Sequence, residues 1–474
     1  MFCMARWIFV PLCVAFGLGC ASERKPPDLS FRLPQEFPYA QRISLPKREA
    51  QGEILSKWWE SFGDPQLVRL VEEALKANPS VKEALARIEE AKALKAQGAS
   101  EILPQIGIGA SVQRQEANQA EGATAYSSSV ESSLQLDLFG KAKKGLEALQ
   151  EGILKEEENL NYVLSELASE VAITYVELCA SQKKLLLLKE RLQRCETQYR
   201  DLVFSRYRAG LTDHSDLEQA QREMALLRYE ILQKEREIET RRASLCALLG
   251  RPPGSLEALE IPDEVPLPPL EVVMASPAEV IERRPDIRMA KREVLARVAY
   301  LEEAKRNRFP ILKLLGSLAL EALTLGDLIH YPSVTLRIGP SLDLDLFTGW
   351  GKAGQIRQQE AKLKQALAQY ERAVLEALGE VQQILCSIQT HWGMIQETEK
   401  ALEAAREILK LEEARYLSGL SDYEGVIKQR KNLYETQISL VDLKAQLALD
   451  FVDLYKALGG GCQEEDRDGR KEVP

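Results

Sequence analysis

Histidine is scarce in this chain of 474 residues, and the shortage excludes several kinds of chemistry. The three histidines, His214, His330 and His391, are far apart and have no cysteine or carboxylate neighbours at ligand spacing. Neither a catalytic triad nor a metalloprotease motif can be assembled from them. We therefore expect no metal, no cofactor and no catalytic residue, and we predict that the chain is not an enzyme.

An excess of positive charge is also missing, because the formal net charge is −10 at pH 7. The sequence has no basic stripe with interleaved aromatic residues, so nucleic acid is not an expected partner. Aromatic residues make up only 6% of the chain, whereas charged residues make up 28%. This composition, with Glu, Lys and Arg among Ala and Leu, is typical of long, solvated, coiled-coil-like helices.

Two patterns that could suggest chemistry have simpler explanations. The spacing Gly349-x-Gly351-x-x-Gly354 superficially matches a dinucleotide-binding fingerprint, but the preceding predicted strand carries two aspartates and no second parallel strand follows. Glycines that ease a bend between a strand and a helix explain it better. The later cysteines show no C-x-x-C pair and are expected to be isolated thiols: Cys179, Cys195, Cys246, Cys386 and Cys462.

No apolar run is long enough for a transmembrane helix, which needs about 20 residues. If the chain enters a membrane, strands must cross it. The apolar run over residues 8–18 fits a signal peptide, and Gly19-Cys20 after it resembles the lipobox of bacterial lipoproteins. We predict a signal peptide over residues 1–19 and acylation of Cys20, which heads a lipid-anchored extended arm over residues 20–60. Because Leu18 lies two residues before the cysteine rather than three, a plain signal peptide remains the alternative.

The segment over residues 78–250 recurs, nearly without gaps, over residues 284–459. Pro104 returns 206 residues later as Pro310, and Asp137-Leu138-Phe139 returns 208 residues later as Asp345-Leu346-Phe347. Arg206-Tyr207-x-x-Gly210-Leu211 returns 209 residues later as Arg415-Tyr416-x-x-Gly419-Leu420. Such a period indicates two tandem structural repeats around a pseudo-axis rather than two unrelated domains.

Each repeat contains one segment with the period-two pattern of a β-hairpin, over residues 104–139 and 310–347. Apolar and polar side chains alternate there, as they must if lipid lies outside and water inside. Two hairpins supply four strands, which cannot close a barrel, and open edges are not tolerated in hydrocarbon, so the chain should oligomerise. A soluble two-faced hairpin lying on a helix is the alternative. The residues that we expect to face the lumen are Glu131, Gln135, Asp137, Arg337, Asp343 and Asp345.

Long helical patterns follow both hairpins, over residues 141–208 and 352–418, and each helix would be about 105 Å long. Two shorter helices stacked end to end should face each long one, such as those over residues 213–249 and 277–308, and a helical wall about 100 Å long results. The helix before each hairpin should be uninterrupted, over about residues 64–101 and 277–308. We therefore divide the chain into a first repeat (61–250), a Pro-rich linker (251–275), a second repeat (276–460) and a disordered tail (461–474).

Several motifs resemble the TolC-like outer-membrane factor family of tripartite efflux systems, in its lipoprotein branch. The resemblance covers about residues 55–460, in family order, and implies a mostly α-helical fold with a membrane β-barrel portion. Three chains would form a homotrimer with a twelve-stranded barrel in the outer membrane and a long α-helical barrel in the periplasm. The motifs are Trp58-Trp59-x-x-Phe62-Gly63-Asp64-Pro65, Asp137-Leu138-Phe139-Gly140-Lys141, Arg206-Tyr207-x-x-Gly210, Arg283-Arg284-Pro285-Asp286-Ile287, Phe309-Pro310 and Leu454-Tyr455-Lys456-Ala457-Leu458-Gly459-Gly460.

The resemblance also implies where a partner docks and where the duct narrows. Glycines at the helix tips cap and reverse the helices in any case, and in this family the tips also engage a periplasmic adaptor (membrane fusion) protein: Gly210, Leu211, Gly419 and Leu420. The family usually carries Asp and Arg where Lys428 and Lys431 lie, so an acidic, cation-favouring ring is not expected. Glu424 is spaced to form an ion pair with Lys428. The residues that would narrow the periplasmic aperture are Asp422, Tyr423, Glu424, Lys428 and Lys431.

The implied function is a passive exit duct of the outer membrane, lipid-anchored and with a large periplasmic extension. It would conduct small molecules such as drugs and toxic compounds from the adaptor and an inner-membrane RND-type transporter. Because cargo is chosen upstream, service to a type I secretion system or a metal efflux system is an alternative, although the sequence has no Met/His cluster for copper or silver. A soluble periplasmic coiled-coil scaffold lipoprotein is the alternative from another class.

Overall fold

The computed structural model describes residues 34–49, 55–115, 123–199, 203–210, 214–256, 262, 264–324, 334–345, 347 and 349–461. The predicted signal peptide, the predicted acylation site Cys20 and the tip residue Leu211 lie outside these residues, as do residues 462–474 of the predicted tail. Within the described part, no helix is long and apolar enough to cross a membrane.

The helices of the first repeat are α1 (Pro65–Ala77), α2 (Pro79–Ser100), α3 (Lys141–Gln198), α4 (Phe204–Arg208) and α5 (His214–Leu248). Those of the second repeat are α6 (Pro277–Arg283), α7 (Pro285–Arg306), α8 (Gly351–Leu417) and α9 (Tyr423–Ala457). A long helix follows each hairpin, as predicted, but α3 ends at Gln198, ten residues before the predicted end at residue 208. With 58 and 67 residues, α3 and α8 are about 87 and 100 Å long.

The helix before each hairpin is split in two, so the prediction of one uninterrupted helix was wrong. Asn78 separates α1 from α2 and has an extended backbone with ψ 133°, because Pro79 follows it. Arg284 has ψ 124° before Pro285 and separates α6 from α7 in the same way. Proline has no N–H to continue a helix, whereas it is well placed as the first residue of the next one.

The split allows a helix that runs from the tips to meet, end to end, a helix that runs to the sheet. Nδ2 of Asn78 donates a hydrogen bond to the carbonyl of Leu248 at 2.6 Å, so α5 ends where α2 begins. Nη1 of Arg284 donates to the carbonyl of Ala457 at 3.2 Å, so α9 ends where α7 begins. Two stacked shorter helices therefore accompany each long helix, as predicted, but α5 meets α2 and not the helix that follows the linker.

Glycines make these junctions close. Gly250 and Gly459 follow α5 and α9 with left-handed φ angles of 67° and 81°. A Cβ atom on either glycine would lie only 3.0 Å from backbone atoms of Ala77 or Arg283. Both the backbone conformation and the space thus require glycine at these two equivalent positions.

The helices form one wall. The long helix α3 packs against α2 and α5 on one side and against α7 and α9 on the other, and α8 packs against the far sides of α7 and α9. The order is therefore α2–α3–α7–α8 in the half near the sheet and α5–α3–α9–α8 in the half near the tips. One edge of the wall consists of α2 and α5, and the other consists of α8.

The strands form two sheets. β1 (Lys47–Glu49) pairs in parallel with β4 (Val272–Met274). β2 (Gln105–Gln115), β3 (Ala123–Leu136), β5 (Ile311–Ala322) and β6 (Val334–Asp343) form an antiparallel sheet in that order, so β2 and β6 are its edges. The two hairpins lie within the segments predicted for them, and neighbouring hairpins pair through β3 and β5.

The main core lies where α1, α3, α8 and α9 meet, and the N-terminal arm is packed into it. Phe37 and Leu45 of the arm are buried, and the indole of Trp58 stacks on Tyr455 with ring centroids 5.6 Å apart. Asp64 caps α1 and also accepts a hydrogen bond from the hydroxyl of Tyr175 at 2.6 Å. The arm, which was predicted to be extended, and the Pro-rich linker are therefore joined to the helices through core packing and through the β1–β4 pair.

Candidate functional site

The four-stranded sheet has one apolar face and one polar face. The register places Ile108, Val130, Leu318 and Leu336 in one row across all four strands. Because side chains alternate between faces, the residues two positions away along each strand share this face. The large apolar side chains on it are Ile106, Ile108, Val112, Val130, Leu134, Leu136, Leu312, Leu314, Leu318, Leu320, Val334, Leu336, Ile338 and Leu342.

Four of the six predicted lumen residues lie together on the polar face. Glu131 and Arg337 flank Ser317 in one row, and Gln135 lies beside Lys313. Nζ of Lys313 also lies 3.5 Å from the carboxylate of Asp343. This face therefore carries charges of both signs, and its exposure to the lumen stays a prediction.

The other two predicted lumen residues lie beyond the ends of the strands. The carboxylate of Asp137 accepts a hydrogen bond from the backbone N–H of Lys143 at 2.9 Å, at the start of α3. Asp345 forms an ion pair of 3.3 Å with Lys352, at the start of α8. The N-terminus of a helix attracts negative charge, so both aspartates stabilise the junction between sheet and helix. Their exposure to the lumen stays a prediction.

The edges of the sheet and of the helical wall coincide. β2 follows α2, and β6 precedes α8, so one edge of the protomer carries β2, α2 and α5 while the other carries β6 and α8. Exposed apolar side chains lie on both helical edges, about 18–27 Å from the start of α5 and about 9–35 Å from the end of α8. They are Leu226, Tyr229 and Leu232 on α5 and Met394, Ile408 and Leu411 on α8.

The tips are built by left-handed glycines, as the motif comparison predicted. Gly210 and Gly419 have φ angles of 68° and 75°. After α8, the backbone N–H of Gly419 donates to the carbonyl of Tyr416 at 3.0 Å, and that of Leu420 donates to Arg415 at 2.9 Å. This pair of bonds satisfies the last carbonyls of the helix and leaves the side chain of Leu420 72% exposed.

Further apolar side chains at the tips were not predicted as part of the docking surface. Leu417 is exposed beside Leu420 at the second tip, and Phe204 and Tyr207 are exposed at the first. The sequence contained a signal for them, because all three lie within one helical turn or two of the repeated glycines.

The predicted aperture residues do not all lie on the surface. Asp422 caps α9 by accepting a hydrogen bond from the N–H of Gly425 at 3.3 Å. Tyr423 is only 1% exposed, with its ring centroid 5.5 Å from that of Tyr416, and burial raises the pKa of its hydroxyl to about 12. Tyr423 therefore lies inside the protomer and holds α9 against α8.

The three charged aperture residues are exposed, but their pairing differs from the prediction. Glu424, Lys428 and Lys431 all lie on the surface of α9. No ion pair forms between Glu424 and Lys428, although both belong to the described part of the chain. Nζ of Lys431 instead lies 3.6 Å from Glu435, one turn further along the helix. Lys428 therefore has its ammonium group available to the aqueous side.

A buried charged cluster just above the tips was missed by the sequence analysis. Arg430 is 2% exposed, and its guanidinium lies 3.2 Å from the carboxylate of Glu413 and 3.9 Å from the sulfur of Cys195. Nearby, Arg191 of α3 pairs with Glu223 of α5 at 3.0 Å. Buried charges are tolerated only when they are paired. A signal existed, because Arg430 occupies a position of the apolar stripe of α9.

A second buried pair joins α8 to α9 near the main core. Nδ1 of His391 lies 2.5 Å from Oδ2 of Asp450, and burial raises the pKa of that carboxyl to about 6. A carboxyl whose pKa is higher in the folded state than in the unfolded state stabilises the fold most fully below the unfolded pKa of about 3.9. This contribution is lost as the pH rises through about 6.

Comparison with known proteins agrees with this geometry. The sequence signature of the outer membrane efflux protein family matches residues 70–251 and 277–460, which correspond to the two repeats. The pyoverdine export outer membrane protein OpmQ of Pseudomonas aeruginosa is 26% identical over 484 residues, which cover 98% of each chain. Outer membrane protein OprJ of the same organism is 29% identical over 422 residues, which cover 86% of each chain.

Solved structures share the fold. The outer-membrane channel OprN is 24% identical, with a TM-score of 0.83 over 93% of this chain and 98% of OprN. The outer membrane protein VceC of Vibrio cholerae is 26% identical, with a TM-score of 0.77 over 86% of this chain and 99% of VceC. These folds are trimeric channels with α-helical and β-barrel portions, so the predicted fold class is confirmed.

These findings also decide between the predicted functions. Members of the matching family are passive channels, which confirms that the chain is not an enzyme. The soluble scaffold alternative is wrong, since the relatives are outer-membrane channels of efflux systems. With two repeats, a two-faced sheet and a helical wall about 100 Å long, this chain belongs to the outer membrane efflux protein family and is an efflux duct of the outer membrane.

Proposed function

We propose that three copies of this chain close into one channel that conducts small molecules, such as drugs and toxic compounds, to the exterior. A periplasmic adaptor and an inner-membrane RND-type transporter would deliver the cargo. The observation that carries the proposal is the coincidence of unpaired edges at the level of the sheet and at the level of the helices. A sheet in hydrocarbon must be closed, and three sheets of four strands supply the twelve that are expected.

The two repeats supply a template for the contact between copies. Within one chain, Val130 of the first repeat pairs with Leu318 of the second across β3 and β5. Their repeat equivalents are Ile338, 208 residues later, and Val112, 206 residues earlier. We therefore expect Ile338 of one protomer to lie opposite Val112 of the next. Both lie on the apolar face, so closure in this register keeps that face apolar around the whole barrel.

Disulfide formation between copies tests this register. Ile338→Cys and Val112→Cys, combined in a chain with Cys386→Ser and Cys462→Ser, should yield a covalent trimer on mild oxidation, because opposite Cβ atoms lie within about 5.5 Å. Ile338→Cys with Ala110→Cys is the matched control, since that pair is two residues out of register. Equal linking in both variants, or linking in neither, would contradict the proposed closure.

The adaptor would dock on the tips, at Gly210, Leu211, Gly419 and Leu420. The exposed side chain of Leu420 supports this proposal. Covering exposed apolar side chains with a partner removes them from water and stabilises the complex. A photoreactive residue at position 420 should link to the adaptor in cells, whereas the same residue at Leu411, which is exposed but lies away from the turn, should link to another copy of the chain. Adaptor capture from position 411 alone would place the docking surface elsewhere.

Transport measurements would identify the pump and its cargo. OpmQ is named for pyoverdine export and CusC for cation efflux, so relatives of similar identity serve different cargo. Loss of the gene should sensitise cells to amphiphilic drugs and dyes. Sensitivity only to copper or silver would favour a metal efflux system, and a secretion defect for one protein would favour a type I system.

A further inference from the structure

We propose that Trp350 is an intersubunit anchor, which packs against the C-terminal end of α2 in the next protomer. The inference rests on the trimer closure proposed above and adds the residues that fix the junction between sheet and helices. Trp350 precedes α8 and has φ 70°, the one left-handed value at a residue other than glycine in the described part of the chain. Its side chain is 80% exposed in the protomer.

The first repeat shows what this junction contacts within one chain. Gly140 holds the same place immediately before the helix α3, also with φ 70°, while the second junction has two more residues between its phenylalanine and its helix. Arg306, the last residue of α7, donates hydrogen bonds from Nη1 to the carbonyls of Gly140 (3.1 Å) and Phe139 (3.3 Å). A Cβ atom on Gly140 would collide with this nitrogen. The arginine therefore occupies the space that a side chain before α3 would need, and it would have to move to admit one.

The junction between copies has the opposite distribution of large and small residues. The equivalent of α7 is α2, which likewise has 22 residues and begins at a proline after a break. Its last residue is Ser100, which stands where α7 has Arg306. Where two copies meet, the pair Gly140 and Arg306 is thus replaced by Trp350 and Ser100 of the next protomer. The indole occupies the space that the arginine fills within one chain.

A neighbouring pair of residues supports the same contact. The ring of Phe139 stacks on Phe309 within the chain, with centroids 4.9 Å apart and an interplanar angle of 12°. The repeat equivalents are Phe347 and Leu103, which are 80% and 57% exposed. Closure brings these two apolar side chains together beside Trp350. A strained backbone persists where surrounding contacts compensate for it, and burial of a large indole between two copies supplies such contacts.

Exchange of the two residue pairs tests the anchor in the full-length protein. Trp350→Gly should lower the temperature at which the trimer dissociates in SDS, and Ser100→Arg should lower it too, because the arginine competes with the indole for one space. The double variant Trp350→Gly/Ser100→Arg recreates the glycine–arginine pair that exists within one chain and should regain the lost resistance. If Trp350 instead faces lipid or the lumen, the two losses add and the double variant is the weakest, which would overturn the proposal.

Fluorescence quenching provides a second measurement that does not depend on stability. Bimane attached to Ser100→Cys should be quenched by contact with the indole and should brighten when Trp350→Phe is added. Bimane at Arg306→Cys, the equivalent position within the chain, should not respond. If the Ile338–Val112 disulfide forms while bimane at residue 100 ignores Trp350→Phe, the anchor is wrong and the closure stands. If the disulfide itself fails to form, the closure is wrong and the anchor falls with it.

Discussion

Replacement of Leu318 by arginine should prevent assembly, whereas the same replacement at Ser317 should be tolerated. The two residues are adjacent in β5, so depth in the membrane is nearly equal for both, and both lie close to the middle of this strand of 12 residues. Leu318 lies in the apolar row with Val130. Ser317 lies in the polar row between Glu131 and Arg337. The two arginine variants therefore differ only in which face of the sheet carries the new charge.

The expected difference is large because the channel contains three copies. An arginine on the lipid face costs about 2–4 kcal/mol near the midplane, and three separated copies add to about 6–12 kcal/mol. That sum approaches the whole stability of a typical folded protein, about 5–15 kcal/mol. An arginine at Ser317 faces water and lies opposite both Glu131 and Arg337, so attraction and repulsion nearly cancel and the change stays within about 1 kcal/mol.

The amount of SDS-resistant trimer in outer-membrane fractions measures assembly, and urea unfolding in liposomes measures stability. Leu318→Arg should give little or no trimer, and Ser317→Arg should match the parent. Equal loss in both variants would refute the assignment of the two faces. Equal tolerance would show that the sheet does not lie in hydrocarbon.

Four further predictions concern the ends of the duct and the helices between them. Valine at Gly210 or Gly419 should abolish export, because valine disfavours positive φ. The trimer should remain, because the tips lie about 100 Å from the sheet. Loss of the trimer on SDS gels would instead indicate a purely structural role. Lys428→Asp should shift ion preference towards cations in planar-bilayer recordings, and unchanged conductance and selectivity would place this segment away from the constriction. Intact mass spectrometry should find acyl chains on Cys20, whereas a lipid-free mass with cleavage elsewhere would remove the anchor and leave the channel. Asp450→Asn should stabilise the protein at pH 7 by about 1–3 kcal/mol and weaken the pH dependence of urea unfolding between about pH 4 and 6. A parent protein that gains stability as the pH rises through this range would contradict the raised pKa of Asp450.

The repeats, the hairpins and the long helices could be predicted because each leaves a periodic trace in the sequence. Period-two alternation located Glu131 and Arg337 on one face, and the register confirms that they share it. The prolines at positions 79 and 285 were visible too, but the apolar period continues on both sides of them. Periodicity therefore concealed two breaks that proline chemistry alone would have revealed.

Other features depend on contacts between distant segments and left no local trace. The parallel pairing of β1 with β4 joins residues more than 200 positions apart. Tyr423 was assigned to the aperture from its place in the sequence, but its burial depends on how α9 leans on Tyr416 of α8. The left-handed backbone of Trp350 is likewise unexpected for a tryptophan, and only comparison with Gly140 in the folded first repeat gives it a meaning.

The end-to-end junctions at Asn78 and Arg284 fix how long the helices between them and the tips must be. Below them, α5 and α9 each have 35 residues and a length of about 52 Å, and the adjoining parts of α3 and α8 must match that span. A longer duct needs the same insertion in all four helices, and steps of about seven or eleven residues, about 10 or 16 Å, keep each side chain close to its original face. The length of the helical wall can therefore change only in discrete steps.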